Sequence, residues 1–292
     1  MSPGAEPKRY EFDFVVIWGS SGGVPCRAGS YGKNVALIEQ SGHLGGACVN
    51  AGCVPKKLMW HAAGISEKLC EAPSYCFRVT NGREATFDWA EFSAKRDAYI
   101  RRLNGIYEKN LKSDGVEEHI RQASLVYPTC VRAVRPDRTT YEHRTKYICI
   151  ATGAHAFIPS DDDVPGASLG SNSNGSFELE KQPKRVMIVG GGYIGVEISG
   201  MFNALGKTLT RCMEHSGVKV HKSTKVKRVE VDVLLWAIRR RPNIETLNLD
   251  AVGIQTNEFG NIVINEWQQI TVPNIFTIPI HPTSAEELIT FR

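Results

Sequence analysis

The stretch from Leu44 to Lys57 reads Leu-Gly-Gly-Ala-Cys-Val-Asn-Ala-Gly-Cys-Val-Pro-Lys-Lys, and it places four residues between Cys48 and Cys53. On a regular helix this spacing puts the two Cα atoms about 7–9 Å apart. A disulfide needs Cα atoms within roughly 7 Å of each other. A bonded pair would therefore need irregular backbone, which the glycines in this stretch can supply.

The residues after Cys53 predict a helix that begins there. Pro55 suits the first turn, where its missing N–H has no partner to lose. Cys53 would then lie at a helix N-terminus with Lys56 and Lys57 nearby, a setting that lowers a thiol pKa. The alternative for a single C-x4-C pair is two unrelated buried thiols. Zinc is disfavoured because the other cysteines offer neither a C-x2-C pair nor a histidine pair.

The composition narrows the class of protein. The chain has 292 residues, of which 42% are hydrophobic, enough for about two domains. Its formal charge of +4 is mild and the basic residues form no single block, so nucleic-acid binding is disfavoured. No apolar run predicts a membrane span or a secretory leader. We therefore expect a reducing compartment, the cytoplasm or alternatively the mitochondrion, where a working disulfide is catalytic rather than structural.

A strand, a turn, a helix, a second strand and an acid follow one another from Phe12 to Glu39. This order is typical of dinucleotide binding, with phosphate at the helix N-terminus and the acid on the ribose. The glycine pattern of the turn is not intact, because Trp18 and Ser20 replace its first two glycines and only Gly23 remains. Trp18 is bulky where a tight turn is needed, so this is a damaged nucleotide site.

Residues 88–175 predict structural elements rather than catalytic ones. Residues 88–111 predict a long helix with one apolar face, which includes Tyr99 and Ile106. The stretch 114–147 alternates and predicts a small β-meander, followed by a buried strand that ends in Ala151-Thr152-Gly153. Residues 160–175 are rich in Asp, Ser, Asn and Gly and predict a linker.

A second strand–glycine–helix unit follows this linker. The strand Arg185 to Val189 leads into Gly190-Gly191-Gly192-Tyr193-Ile194-Gly195 and a helix through Leu205. Here the G-x-G-x-x-G pattern is intact. Two such units in one chain are a stronger signal than either alone and predict two bound dinucleotides. Further along, the three consecutive arginines 239–241 are usually a solvated surface, but near a nucleotide they could hold phosphate.

With the cysteine stretch, these units resemble the class I pyridine nucleotide–disulfide oxidoreductases, and within them the branch that reduces glutathione disulfide. The resemblance covers nearly the whole chain, with gaps. It implies an α/β fold of two Rossmann-like dinucleotide-binding domains with the interface domain largely missing. The implied domains are 1–157 for FAD and the redox disulfide, 158–243 for the nicotinamide nucleotide, 244–279 as a remnant of the FAD and central domain, and 280–292 as a catalytic stub.

The same resemblance implies the site residues. The catalytic ones are Cys48, Cys53, Lys56, Glu197, His281 and Glu286. The residues that would contact FAD are Gly19, Ser20, Gly22, Gly23, Glu39, Gly46, Ala47, Thr152 and Gly153. Those that would contact the nicotinamide nucleotide are Gly190, Gly192, Tyr193, Gly195, Arg211 and Arg240. For Tyr193 and Glu197 the ordinary alternatives are a packing tyrosine and an exposed helix glutamate.

The implied chemistry is a relay. Hydride passes from NADPH, or alternatively NADH, to FAD; the reduced flavin cleaves the Cys48–Cys53 disulfide, and Cys48 attacks glutathione disulfide. His281 of a second subunit in a homodimer would protonate the leaving thiolate. Three hypotheses remain: an active glutathione-disulfide reductase, a poorly active or silent relative that holds flavin badly, and a reductase of another disulfide such as a thioredoxin-like protein. No metal is expected.

Overall fold

The structure is a computed structural model that describes residues 10–18, 23–77, 87–206, 218–219, 221, 230–267 and 269–277. The chain forms two compact units. The first unit comprises residues 1–50, 101–155 and 241–292, and the second comprises residues 51–100 and 156–240. Residues 51–100 therefore group with the second unit, whereas the sequence predicted a single domain over 1–157.

Strands and helices are interspersed along most of the chain. In chain order they are β1 (Phe12–Ile17), α1 (Gly23–Ser30), β2 (Val35–Glu39), α2 (Gly46–Ala51), α3 (Cys53–Glu71), α4 (Trp89–Ser113), β3 (Glu117–Ile120), β4 (Gln122–Tyr127), β5 (Cys130–Val134), β6 (Thr140–Ile150), β7 (Ala154–Ala156), β8 (Ser171–Asn172), α5 (Ser173–Phe177), β9 (Val186–Val189), α6 (Tyr193–Leu205), β10 (Val233–Trp236), β11 (Arg240–Pro242) and β12 (Ile275–Thr277).

The first unit is built on a sheet of seven strands. Its main path runs β3-β2-β1-β6-β5-β4, and β12 also pairs with β6. The pairs of β1, β2, β3, β12 and the second half of β6 are parallel, whereas β4, β5 and the first half of β6 form an antiparallel meander. The predicted first strand, second strand and meander are therefore confirmed.

Alternation along β1 sends its side chains to two cores. Val15 and Ile17 join a cluster with Ala36, Ile38 and apolar residues of the meander. On the other face Val16 packs in a second cluster, which α1 and the end of α4 cover. This period-two burial follows from the pleat of the strand. The carboxyl end of β1 lies at the edge where parallel sheets bind ligands.

The second unit holds a parallel sheet in the order β8-β10-β9. Helices α3 and α6 share its core, where Met59 and Ala63 pack with Ile198 and Met201. The Ser66 hydroxyl donates a hydrogen bond to the Ala204 carbonyl at 2.9 Å. This packing is the physical reason that residues 51–100 group with the second unit rather than with the first sheet.

Two sequence expectations were wrong in part. The segment 160–175 contains β8 and the start of α5, because the Asn172 side chain caps that helix by accepting from the N–H groups of Asn174 and Gly175. Helix α4 forms, but Tyr99 and Ile106 are 40% and 42% exposed rather than in a core. No helix of the described residues is both long and apolar enough to cross a bilayer.

Candidate active site

The cysteine stretch folds as two helices with a break between them. Cys48 lies within α2, and α3 begins at Cys53, as the sequence predicted. Gly52 separates the helices with φ −143° and ψ −113°, and none of the described side chains caps the N-terminus of α3. Both cysteines are half-buried. The amides of the first turn of α3 therefore favour negative charge at Cys53.

Two asparagines hold the helix that carries Cys48. The Asn50 amide donates to the carbonyls of Leu44 and Gly46 at 3.0 and 2.9 Å. From α4, Asn104 donates to the Leu44 carbonyl at 2.5 Å and to the Asn50 side chain at 3.0 Å. The sequence analysis missed both asparagines, because side-chain amides on helices carry no periodic signal.

Tyr107, one turn further along α4, is a neighbour of Cys48 that the sequence analysis also missed. Burial and then the nearby Cys48 raise the pKa of the Tyr107 phenol. The phenol therefore keeps its proton at neutral pH and can donate a hydrogen bond near the thiol.

Lys56 and Glu197 form an ion pair within the second unit. Lys56 Nζ lies 2.9 Å from Glu197 Oε2 and 3.1 Å from Oε1, and each side chain is about one third exposed. Lys56 lies in the first turn of α3, and Glu197 lies in α6 just after the second glycine pattern. The structure thus brings together two of the sequence-predicted catalytic side chains, and Glu197 is not an unpaired surface glutamate.

The second glycine pattern forms a cradle at the carboxyl end of β9. Gly190 has φ +124°, and a Cβ there would collide with the Ala237 carbonyl. A Cβ at Gly195 would collide with the Gly190 carbonyl, so the turn and α6 approach closely. Beside Gly192, which caps α6 without any side-chain hydrogen bond, the space is open. These features fit the pyrophosphate of a dinucleotide.

The other residues predicted for this nucleotide lie at exposed positions. Tyr193 is the first residue of α6 and is 62% exposed, so it is not a packing tyrosine. Arg240 is exposed on β11. Arg211 lies outside the described residues.

The FAD residues of the first unit fit the cofactor at its ribose. Glu39, at the end of β2, is only 4% exposed and accepts hydrogen bonds from the Ser41 N–H and hydroxyl at 2.9 and 2.8 Å. Thr152 is buried after β6, and Gly153 has φ +63°. Gly46 and Ala47 begin α2. A buried carboxylate at this strand end is the group that binds a ribose hydroxyl.

Trp18 follows directly after β1. It has φ +59°, a left-handed conformation that L side chains rarely adopt. The backbone N–H of Trp18 donates to the Ile38 carbonyl at 2.8 Å. Its indole packs against the core cluster that contains Ile17. Trp18 thus has a backbone conformation that glycine adopts without strain, but it carries an indole.

Five further predicted residues are not among the described ones, and one is. Gly19, Ser20, Gly22, His281 and Glu286 lie outside the described residues, whereas Gly23 begins α1. Cys70, near the end of α3, is disulfide-bonded, which the sequence did not predict. Within the described residues no group of three or more His, Cys, Asp or Glu side chains could hold a metal ion.

Comparison with known families agrees with this geometry. Residues 12–216 and 208–278 match the family described as pyridine nucleotide-disulphide oxidoreductase. The chain therefore belongs to this family, whose members imply FAD and a pyridine nucleotide as cofactors.

Two relatives to which the chain is similar are glutathione reductases. The chain is 42% identical to glutathione reductase of Schizosaccharomyces pombe, over 91% of this chain and 66% of the relative. It is 40% identical to glutathione reductase of Yarrowia lipolytica, over 91% of this chain and 67% of that one. The chain thus spans about two thirds of their length.

A solved structure shares the fold. It is the Cu(II) complex of the HOCl-induced flavoprotein disulfide reductase RclA from Escherichia coli, which aligns with a TM-score of 0.72 and 24% identity over 91% of this chain and 65% of that chain. This likeness, with the parallel sheets described above, establishes the Rossmann-like α/β fold class.

Proposed function

We propose that this protein is a disulfide reductase that uses NADPH and FAD to reduce glutathione disulfide through Cys48 and Cys53. The proposal draws on the family match and on relatives that are glutathione reductases. The observation that carries it is the ion pair between Lys56 and Glu197, at 2.9 Å. Lys56 lies three positions after Cys53, and the Glu197 carboxylate of α6 fixes its ammonium group. This ion pair positions a cation and does not belong to the hydrophobic core.

Each residue has a defined task. When bound, the pyridine nucleotide and FAD supply the hydride and two-electron chemistry. The N-terminal amides of α3 stabilise negative charge on Cys53. Glu197 orients the Lys56 ammonium. Glu39 would hold the ribose of FAD, and Gly190, Gly192 and Gly195 would admit the pyrophosphate of the nicotinamide nucleotide.

The thiol steps follow from disulfide exchange. The Cys48 thiolate attacks one sulfur of glutathione disulfide, forms a mixed disulfide and releases one glutathione thiolate. The Cys53 thiolate then attacks Cys48 in that mixed disulfide, re-forms the Cys48–Cys53 bond and releases the second glutathione. Two electrons from NADPH are needed to cleave the bond again. Tyr107 can donate a hydrogen bond near Cys48, and we assign proton delivery to His281 of a second subunit.

A spectrum tests the proposal. The purified protein should be yellow, or become yellow with added FAD, and anaerobic NADPH should produce a long-wavelength band from a thiolate beside oxidised flavin. Assays with glutathione disulfide and with oxidised thioredoxin then separate the proposed substrate from a protein disulfide. A protein that takes up no FAD contradicts the proposal.

The second candidate function is a relative that binds the nicotinamide nucleotide but holds flavin poorly. Trp18, with φ +59° at a turn that requires close approach to phosphate, favours this candidate. At the Gly190 cradle all three glycines of the pattern are present, and the space beside Gly192 is open. NADPH binding without FAD uptake would select it.

A further inference from the structure

We propose that Arg239, held by Phe157, is an additional phosphate-binding residue of the nicotinamide-nucleotide site. This inference rests on one part of the proposed function, which is that the cradle at Gly190 binds a dinucleotide. It selects one arginine of the run 239–241, for which the sequence left both a solvated surface and a phosphate contact open.

The backbone places Arg239 at the mouth of the cradle. β10 runs parallel to β9 with Trp236 opposite Val189, and the Ala237 N–H donates to the Val189 carbonyl at 2.8 Å. Gly190 is so close to Ala237 that any Cβ would meet its carbonyl. The residues that follow β10 therefore lie beside the glycine turn that follows β9. In parallel sheets this edge is where ligands bind.

Phe157 fixes the arginine at this edge. The Phe157 N–H donates to the Arg239 carbonyl at 2.9 Å, which pairs the two backbones. The guanidinium carbon lies 4.2 Å from the centre of the half-buried Phe157 ring. Stacking of this kind orients an arginine but uses none of its N–H donors. The donors stay available in a fixed plane.

Charge completes the argument. Among the described residues no carboxylate forms an ion pair with Arg239, whereas Arg185 of the same unit has carboxylate partners. An exposed, stacked cation at the edge of a cradle suited to pyrophosphate has the fork geometry that matches phosphate oxygens. Its charge adds to that of the α6 N-terminus, where no side chain of the described part of the chain caps the amides.

The test is equilibrium binding of NADPH to the full chain by isothermal titration, at low and at physiological salt. Arg239→Gln should weaken binding about five- to tenfold, as expected for one partly exposed charge-assisted contact. It should also flatten the salt dependence, because a screened attraction has been removed. Phe157→Leu keeps an apolar side chain without the aromatic face and should give a smaller loss. Arg239→Lys should fall between the wild type and Arg239→Gln.

Arg185→Gln is the matched control. It removes the same charge at the opposite end of β9, where the guanidinium lies 3.4 Å from Asp232. We expect unchanged NADPH affinity for this variant and unchanged melting temperatures for all of them. Equal affinity of Arg239→Gln and wild type, or an equal loss in Arg185→Gln, overturns the role of Arg239 alone. A wild-type protein that binds no NADPH overturns this role and the proposed function together.

Discussion

At the residue scale, Glu197 has one task in the proposed chemistry, which is to hold the Lys56 ammonium in the first turn of α3. Glu197→Gln keeps the size of the side chain and removes its charge. Because a positioned charge acts on developing charge, we expect disulfide-reductase turnover to fall by about ten- to a hundredfold. Steady-state kinetics with glutathione disulfide measure this effect.

Glu91→Gln is the control for this variant, since it removes a carboxylate that pairs with Lys95 on the exposed face of α4. It should leave kcat unchanged. Equal rates for wild type and Glu197→Gln would show that the ion pair is structural.

Trp18 occupies the position of the first glycine in the dinucleotide-binding pattern, where the backbone turns tightly. Replacing it with glycine relieves a left-handed backbone that costs a bulky residue about 1–2 kcal/mol. Because a glycine at this position allows the tight turn of a dinucleotide site, we expect Trp18→Gly to bind FAD at least several-fold more tightly in equilibrium dialysis. Trp267→Gly removes an exposed indole of the same unit and should have no effect. If Trp18→Gly binds FAD no more tightly than the wild type, the indole does not weaken FAD binding.

At the element scale, α2 is held in place by side-chain amides. Asn104 is the link from α4, and Asn104→Ala removes its hydrogen bonds to Leu44 and Asn50. Loss of half-buried hydrogen bonds of this kind costs about 1–3 kcal/mol. We expect faster amide exchange over residues 44–51 and faster alkylation of Cys48 in the reduced protein, both read by mass spectrometry. Asn110→Ala, at an exposed position of α4, should change neither rate.

A second feature at this scale is a histidine pair that joins β3 and β6. The rings of His119 and His143 lie 4.8 Å apart, and Phe12 meets both edge-on. Glu117 lies 3.1 Å from His119, and Glu11 lies 3.1 Å from His143. Two titratable rings therefore share one partly buried site between the strands.

The surroundings of His119 set the direction of its pKa shift. Burial, and then the neighbouring His143, lower the pKa of His119 below its ordinary value of 6.5. Glu117 acts in the opposite direction, and Arg121 acts in the same direction as burial. The folded protein therefore holds His119 neutral at a pH where the unfolded chain would begin to protonate it.

A lowered histidine pKa makes the fold sensitive to acid. Below pH 6.5 the unfolded chain binds a proton that the folded His119 resists, so the contribution is complete above pH 6.5 and is lost as pH falls through the folded pKa. The urea midpoint should therefore drop between about pH 7 and pH 5. His119→Gln should reduce this slope, and His61→Gln, an exposed histidine of α3, should leave it unchanged. Identical slopes for wild type and His119→Gln would contradict the assignment.

At the scale of the whole molecule, the sequence specified the elements better than their grouping. The apolar run from Phe12 to Ile17 predicted β1 to the residue, and the glycines at 190, 192 and 195 predicted the turn before α6. The grouping of residues 51–100 was not predictable, because it depends on which apolar face of α3 meets α6. The contacts of Asn104 and the His119–His143 pair join distant segments and leave no local pattern.

In the candidate site, too, the local features could be predicted from the sequence and the long-range contacts could not. Spacing located Cys53 at a helix start, since proline and glycine act on local backbone. Resemblance was needed to anticipate Lys56 beside Glu197, which are 141 positions apart in the chain. The left-handed conformation of Trp18 follows from the strand–turn geometry around it rather than from any preference of tryptophan.

NADPH consumption in the presence of glutathione disulfide tests the relay most directly, for wild type, Cys48→Ser, Cys53→Ser and Cys76→Ser. Cys76 is an exposed cysteine outside the candidate site and serves as the control. We predict that wild type and Cys76→Ser consume one NADPH per disulfide cleaved, and that both other variants consume none. Turnover that persists in Cys48→Ser or Cys53→Ser would contradict the account.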